Sequence, residues 1–228
     1  TVGTTYYVCA YATNSQGTAY GNTLTFETLG NTFTDSRDGN VYKMVTIGDQ
    51  IWMAENLRYL PSVIGIGTGS YSTSYYYVYG YDGTDGNAAK ATANYTTYGV
   101  LYNWPAACSS CPTGWHLPSN ADWTELTDYL GENAGGKLKA TGTIEAGTGL
   151  WHAPNTGATN VTGFIALPGR NCTPGGTFYD VGSVGIWWSA TEFTPSLACY
   201  ILTLDYASHV NRFYVDKDMG ASVRCVKD

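Results

Sequence analysis

The sequence predicts an α+β fold of mainly antiparallel strands, with one or two short helices and a β-hairpin at the N-terminus. Three observations lead there. Thr, Gly, Tyr, Ser and Asn dominate while good helix formers are few, a mixture that favours strands and turns. Apolar residues alternate with period two in Tyr200, Leu202, Leu204 and again in Ala221, Val223, Cys225, the mark of antiparallel pairing. Only one segment carries a full helix signature: Ser119 followed by Asp122 fits a capping box, and Trp123, Leu126 and Leu130 fall on one face before Gly131 stops the run.

Residues 1–28 read as the hairpin. Tyr6, Val8, Ala10 and Ala12 alternate with Tyr7, Cys9 and Tyr11, the polar NSQG makes a turn, and Leu24 and Phe26 share a face of the return strand. The segment resembles the last two strands of a fibronectin type III domain, an immunoglobulin-like sandwich of about seven strands. A lone hairpin is marginal in water, so Tyr6, Val8, Leu24 and Phe26 form an apolar surface that something must cover. LGNT at 29–32 is the junction, and 33–228 the main domain. Within it, Val41 to Ile47 and Gln50 to Ala54 read as strands around a Gly-Asp turn. Residues 61–97 form a Tyr/Gly/Ser-rich excursion with few regular signals, and a second short helix is placed at Ala134 to Lys139. NVTGFIAL, GIWWSATE, ACYILTLDY, HVNRFYV and ASVRCVKD complete the strands.

Composition excludes several functions. The 228-residue chain has 18 acidic and 11 basic residues, a net charge of −7, and 13% charged residues against about 25% in ordinary domains. Its basic residues form no run that would track a phosphate backbone, which argues against nucleic acid. No apolar run approaches the ~20 residues of a membrane span. Twenty Tyr and seven Trp supply burial that the scarce aliphatics do not. Six cysteines suggest an oxidising, extracellular compartment and structural disulfides rather than a zinc site, because Cys108-x-x-Cys111 has no second pair. The start at Thr1 without an initiator Met suggests a removed leader or part of a longer precursor.

Taken in order, DGNVYKMVTIGDQIWMAENL, YGVLYNWPAA, CPTGWHLPSNADWTEL, ATNVTGFIALPGR, GIWWSATE and GASVRCVKD resemble the Fibrobacter succinogenes major paralogous domain over about residues 31–228. The helix start after GWHLPS, the WWS strand and the closing VRC strand are also similar to the superfold of C-type lectins and formylglycine-generating enzymes. The resemblance implies a C-type-lectin-like fold on bacterial secreted or surface proteins. It also implies Cys111–Cys225 as the bond closing the chain ends; Cys172 and Cys199, which flank the WWS strand, are the next expected pair, and that leaves Cys9 with Cys108. The lectin motifs Glu-Pro-Asn and Trp-Asn-Asp are missing, Trp188-Ser189-Ala190 standing in the place of the second, so sugar binding through calcium is not expected.

Candidate sites are weighed against plainer roles. Asp82, Asp85 and Asn87, like Asp35, Asp38 and Asn40, share the spacing DxxDGN; calcium is the metal they would suit, while Asp and Asn before Gly are ordinary turn residues, the favoured reading. Tyr75, Tyr76, Tyr77, Tyr79 and Tyr81 are the exposed candidates for stacking on sugar rings, whereas Trp151, Trp187 and Trp188 are expected in the core. His116 is expected to be packed. A Ser189, His209, Asp205 triad has no activating turn around it, so catalysis is not expected. The sequence thus points to a non-catalytic extracellular bacterial module that needs no cofactor. Its expected partner is its own kind, in a structural or adhesive polymer joined through the N-terminal strands, with a monomeric glycan-binding module and, last, an enzyme of the formylglycine-generating type as the alternatives.

Overall fold

A computed structural model describes residues 5–27, 31–179 and 181–228. In chain order the elements are β1 (Thr5–Val8), β2 (Tyr11–Asn14), β3 (Gly17–Tyr20), β4 (Leu24–Glu27), β5 (Thr32–Thr34), β6 (Val41–Ile47), β7 (Gln50–Met53) and β8 (Tyr76–Tyr77). Then come α1 (Gly86–Lys90), α2 (Ala93–Tyr98), β9 (Leu101–Tyr102), α3 (Trp104–Ser110), β10 (Trp115–His116), α4 (Asn120–Leu130) and α5 (Ala134–Leu138). The last third holds β11 (Cys172–Thr173), β12 (Thr177–Phe178), β13 (Val184–Glu192), β14 (Leu197–Leu204), β15 (Asn211–Asp216), β16 (Ala221–Ser222) and β17 (Val226–Lys227). The chain is a mixed α+β molecule with mostly antiparallel strands; β13 and β16 run parallel.

The framework is a six-stranded sheet of order β15-β14-β13-β16-β9-β8, beside a five-stranded one of order β10-β17-β7-β6-β5. Successive side chains of a strand point to opposite faces, and the Trp187-Trp188 pair of β13 uses this to fasten two cores. Trp188 enters a cluster with Tyr42, Met53, Tyr102 and Val223, while Trp187 enters another with Trp52, Trp123, Phe164 and Ile201. Each indole finds an acceptor: Trp188 Nε1 donates to the Tyr102 carbonyl at 2.6 Å and Trp187 Nε1 to Asn56 Oδ1 at 2.8 Å. The tryptophans expected inside, Trp151, Trp187 and Trp188, are all buried.

The capping box forms as expected: the Ser119 amide donates to Asp122 Oδ2 at 2.7 Å, and Ser119 Oγ accepts from the Asp122 amide, opening α4. Three short helices were not expected. Asp85, Thr92 and Asn103 each accept hydrogen bonds from backbone N–H groups at the starts of α1, α2 and α3, so caps rather than apolar periodicity define these helices. NVTGFIAL is not a strand. Its backbone turns at Asn160 and Ile165, both at positive φ, and is held by side chains, including Asn160 Oδ1 accepting from the Ile165 amide at 2.9 Å. ASVRCVKD is split into β16 and β17, and residues 1–28 contain two ladders, β1 with β4 and β2 with β3.

Arg224 lies fully buried between the two pieces of that last segment. It donates to Asn56 Oδ1 at 2.6 Å and to the carbonyls of Phe164 and Ile165, and its guanidinium lies 4.2 Å from the Phe164 ring centre. Burial pushes its pKa down to about 9, which still leaves it charged at neutral pH. Replacing Arg224 by Met strands these acceptors, and denaturant unfolding is expected to show a loss of about 3 kcal/mol.

Burial also raises the phenol pKa values of Tyr42, Tyr77 and Tyr102. A group whose folded pKa is raised stabilises fully below its unfolded value and loses that contribution above it. Stability should therefore hold up to about pH 10 and fall beyond it. A titration that follows phenolate absorbance and circular dichroism together should show the three ionising with unfolding, not before it.

Candidate functional site

The cysteine expectations are met once. Cys111, the C-cap of α3, is bonded to Cys225 just before β17, across 114 residues. Cys172 and Cys199 do not pair: both are buried free thiols, Cys172 packed with Tyr77 and Leu101, Cys199 with Trp123 and Ile201. They belong to different clusters, and burial raises both thiol pKa values, up to about 12 for Cys172, so both stay protonated and inert. Cys9, in the hairpin, and Cys108, exposed on α3, are also free.

The DxxDGN sequences form caps and turns. Asp85 Oδ1 accepts from the amides of Asn87 and Ala88 at 2.8 and 3.2 Å. Asp38 holds the amide and side chain of Asn40, and Asp35 is buried against Arg37, which also donates to the Ser110 carbonyl at the end of α3. Among the described residues no group of three or more His, Cys, Asp or Glu side chains gathers as a metal would require.

The tyrosine run is packing rather than platform. Tyr77 is buried and donates to the Thr68 carbonyl at 2.6 Å; Tyr75, Tyr76, Tyr79 and Tyr81 are half-buried against the cores. Tyr76 meets Tyr102 edge-on, and Tyr79 packs on Phe178 with ring centres 5.0 Å apart. The run reads as exposed from its polar neighbours, whereas rings distant in sequence, Tyr102 and Phe178, cover it.

The imagined triad does not assemble. Asp205 lies beside Ser183, its amide bonded to the Ser183 carbonyl, whereas Ser189 is buried six residues further along β13, about 20 Å away at strand rise. His116 is not packed: it is exposed and bonds Asp228 at 2.7 Å through Nδ1. His152 likewise pairs with Glu145, whose carboxyl it holds below its ordinary pKa.

What remains conspicuous is the hairpin. Tyr7, Val8 and Leu24 are 73%, 49% and 71% exposed, Tyr6 39%, and the side chain of Phe26 lies outside the described residues. Tyr11 and Tyr20, 71% exposed each, face one another across β2 and β3 with their rings tilted at 40°. The ladders of β1 to β4 pair with no strand of the two larger sheets. A second exposed aromatic surface, missed in the sequence, lies on β15, where Phe213 and Tyr214 are about half exposed and Tyr214 stacks on Phe193 at 4.2 Å. Phe213 and Tyr214 occupy adjacent positions, so this edge strand is apolar on both faces, which alternation of a single face could not reveal.

Among the described residues no helix is long and apolar enough to cross a membrane. Replacing Asp85 by Ala should cost about 1 kcal/mol through the lost cap. Thermal melts of the unmodified protein with and without EDTA should coincide; a lower melting temperature in EDTA would restore Asp82, Asp85 and Asn87 as ligands.

No curated protein and no solved structure matches the chain. A family model does, the Fibrobacter succinogenes major domain, over residues 45–227. That span holds the whole six-stranded sheet and, of the five-stranded one, everything but β5 and the start of β6, together with the disulfide and the buried arginine. The chain belongs to the Fibrobacter succinogenes major domain family.

Proposed function

We propose that the protein is a non-catalytic extracellular module of C-type-lectin-like fold that assembles with copies of itself at a bacterial surface, in a structural or adhesive polymer. The observation that carries this reading is the hairpin, whose large side chains are exposed while its ladders stay separate from the main sheets. Exposed apolar strands with open edges are avoided by natural proteins unless a partner covers them.

The acceptor is the edge of β15. At six residues it is the longest edge of the two larger sheets, against two residues in β8 and β10 and three in β5. Its exposed Phe213 and Tyr214, with Phe193 of the β13–β14 turn stacked on Tyr214, offer aromatic contacts to the tyrosines of the hairpin. A strand added there gains main-chain hydrogen bonds, and its alternate side chains meet aromatics on either face. Hairpin to β15 is a head-to-tail contact between different surfaces, which propagates instead of closing into a pair. The dispersed histidines and the separated Ser189 and Asp205 support a non-catalytic role. A monomeric glycan-binding module working through the tyrosine run draws less support, because Tyr77 is buried and its neighbours are packed.

Sedimentation and electron microscopy of the concentrated chain test this. The intact protein should form polymers. Phe213→Glu, Leu24→Glu and deletion of residues 1–28 should each leave folded monomers. A full chain that stays monomeric, or a deletion that still polymerises, overturns the proposal.

A further inference from the structure

A cleft of about 570 Å³ opens beside α5, between the 156–161 loop and the turn after β14. A smaller cavity of about 220 Å³ adjoins it and shares Asn133. The walls are tied together from within. Gly135 and Gly136 let two loops approach the backbone of α5: a Cβ at Gly135 would collide with the His209 carbonyl, and one at Gly136 with that of Gly157. In the space so kept, the Gly136 amide donates to the Ser208 carbonyl at 3.0 Å and its carbonyl accepts from Thr159 at 2.9 Å. The fully buried Lys139 donates to the carbonyls of Leu204 and Ala207, both at 2.9 Å, fixing the turn that carries Ser208. Burial lowers its pKa to about 8, and its role here is internal support.

The lining combines directional polar groups with cations. Thr156, Thr159 and Ser208 supply hydroxyls, Asn133 an amide, and Val161, 73% exposed, an apolar surface; Ser208 Oγ donates to Asn133 Oδ1 at 2.7 Å, which leaves the serine oxygen as an acceptor and the Asn133 NH2 as a donor. Lys137 lines the cleft and donates to the Leu130 carbonyl at 2.5 Å; Arg212 lines the adjoining cavity and donates to Thr127 Oγ1 at 3.2 Å. Thr127 and Leu130 are one turn apart on α4, so both cations stand at the same helix end. Neither takes part in an ion pair among the described residues. Glu132 is the sole acid lining either cavity. In a chain of net charge −7, this convergence of unpaired cations is a local reversal of sign.

We propose that this cleft and the adjoining cavity together bind a carboxylated saccharide, with Lys137 and Arg212 meeting the carboxylate where the two spaces join and the threonine, serine and asparagine groups meeting ring hydroxyls. The site is independent of the hairpin and of assembly. Two cations select an anion, and a carboxylate suits the planar fork of Arg212. The hydroxyl and amide lining along an open trough fits the many hydroxyls of a sugar chain, with Val161 facing an apolar patch of the ring. The volume lies within the range of small-molecule sites.

Calorimetry on the full chain with three probes tests the proposal: a galacturonic acid trimer, the neutral galactose trimer, and tricarballylate as a carboxylate without sugar. The uronate should bind, at least about tenfold more tightly than either other probe, and more weakly as salt is raised. Hydrogen exchange should slow at residues 156–161 and 205–210. Arg212→Gln should weaken uronate binding about tenfold, and Thr159→Val should weaken it without altering its salt dependence. Equal binding of the neutral trimer removes the charge selection, and equal binding of tricarballylate removes the sugar. No binding of the uronate, or protection elsewhere, overturns the site.

Discussion

One buried side-chain amide organises the main domain. Asn56, 4% exposed, accepts at Oδ1 from both Arg224 and Trp187, and donates at Nδ2 to the Tyr98 carbonyl and to Ser222 Oγ. Through these contacts the segment after β7, the end of α2, the middle of β13 and the final strands meet at one point. Arg224 extends the network to the Phe164 and Ile165 carbonyls, and so fixes a loop with no ladder of its own. A buried cation without its acceptors would be costly, so these pieces are held in mutual register or the network fails as a whole. Ile165 shows the strength of that constraint, since a β-branched residue at φ 54 persists only when its surroundings over-determine it.

Around this hub the aromatic rings do the work of the missing aliphatics. Trp52, Trp123, Phe164 and Trp187 form a continuous set of tilted and edge-on contacts under the α4 face. Such rings bury large areas but bring polar tips, and the fold meets most of that demand with backbone carbonyls and a few amides, leaving Trp123 Nε1 without a partner among the described residues. Trp151 donates to the Ala166 carbonyl, Trp52 to Gln50, and Tyr102 to the Tyr59 carbonyl. Loops can therefore stay irregular while remaining ordered.

Much of this was legible in the sequence where a local rule governs. The capping box at Ser119, β6 at Val41–Ile47, the buried tryptophans and the Cys111–Cys225 closure follow from short-range chemistry or from the family resemblance. The failures have a common physical cause, dependence on distant partners. NVTGFIAL has the composition of a strand, yet Arg224, some 60 residues away, takes its carbonyls. The tyrosines at 75–81 read as surface because nothing nearby shows that Tyr102, Phe178 and Cys172 will pack on them. Cys172 and Cys199 are close in sequence but packed into different cores. The cleft beside α5 escaped for the same reason: Gly135 and Gly136 looked like a weak helix, when their missing side chains are the space that two remote loops occupy.

The Cys111–Cys225 bond has a mechanical consequence. Tension applied between the hairpin and residue 228 travels along the chain to Cys111, crosses the sulfur bridge and leaves from Cys225. Residues 112–224 form a closed covalent loop outside that load path. Pulling can peel β5, β6 and β7 and straighten the chain up to α3, but the bond limits how far the ends extend. β13, β14, β15 and the α5 cleft all lie within the shielded loop. A stretched molecule would thus yield first in the strands before Cys111, as a shock absorber with a fixed stop, while the backbone of β13, β14 and β15 carries no force.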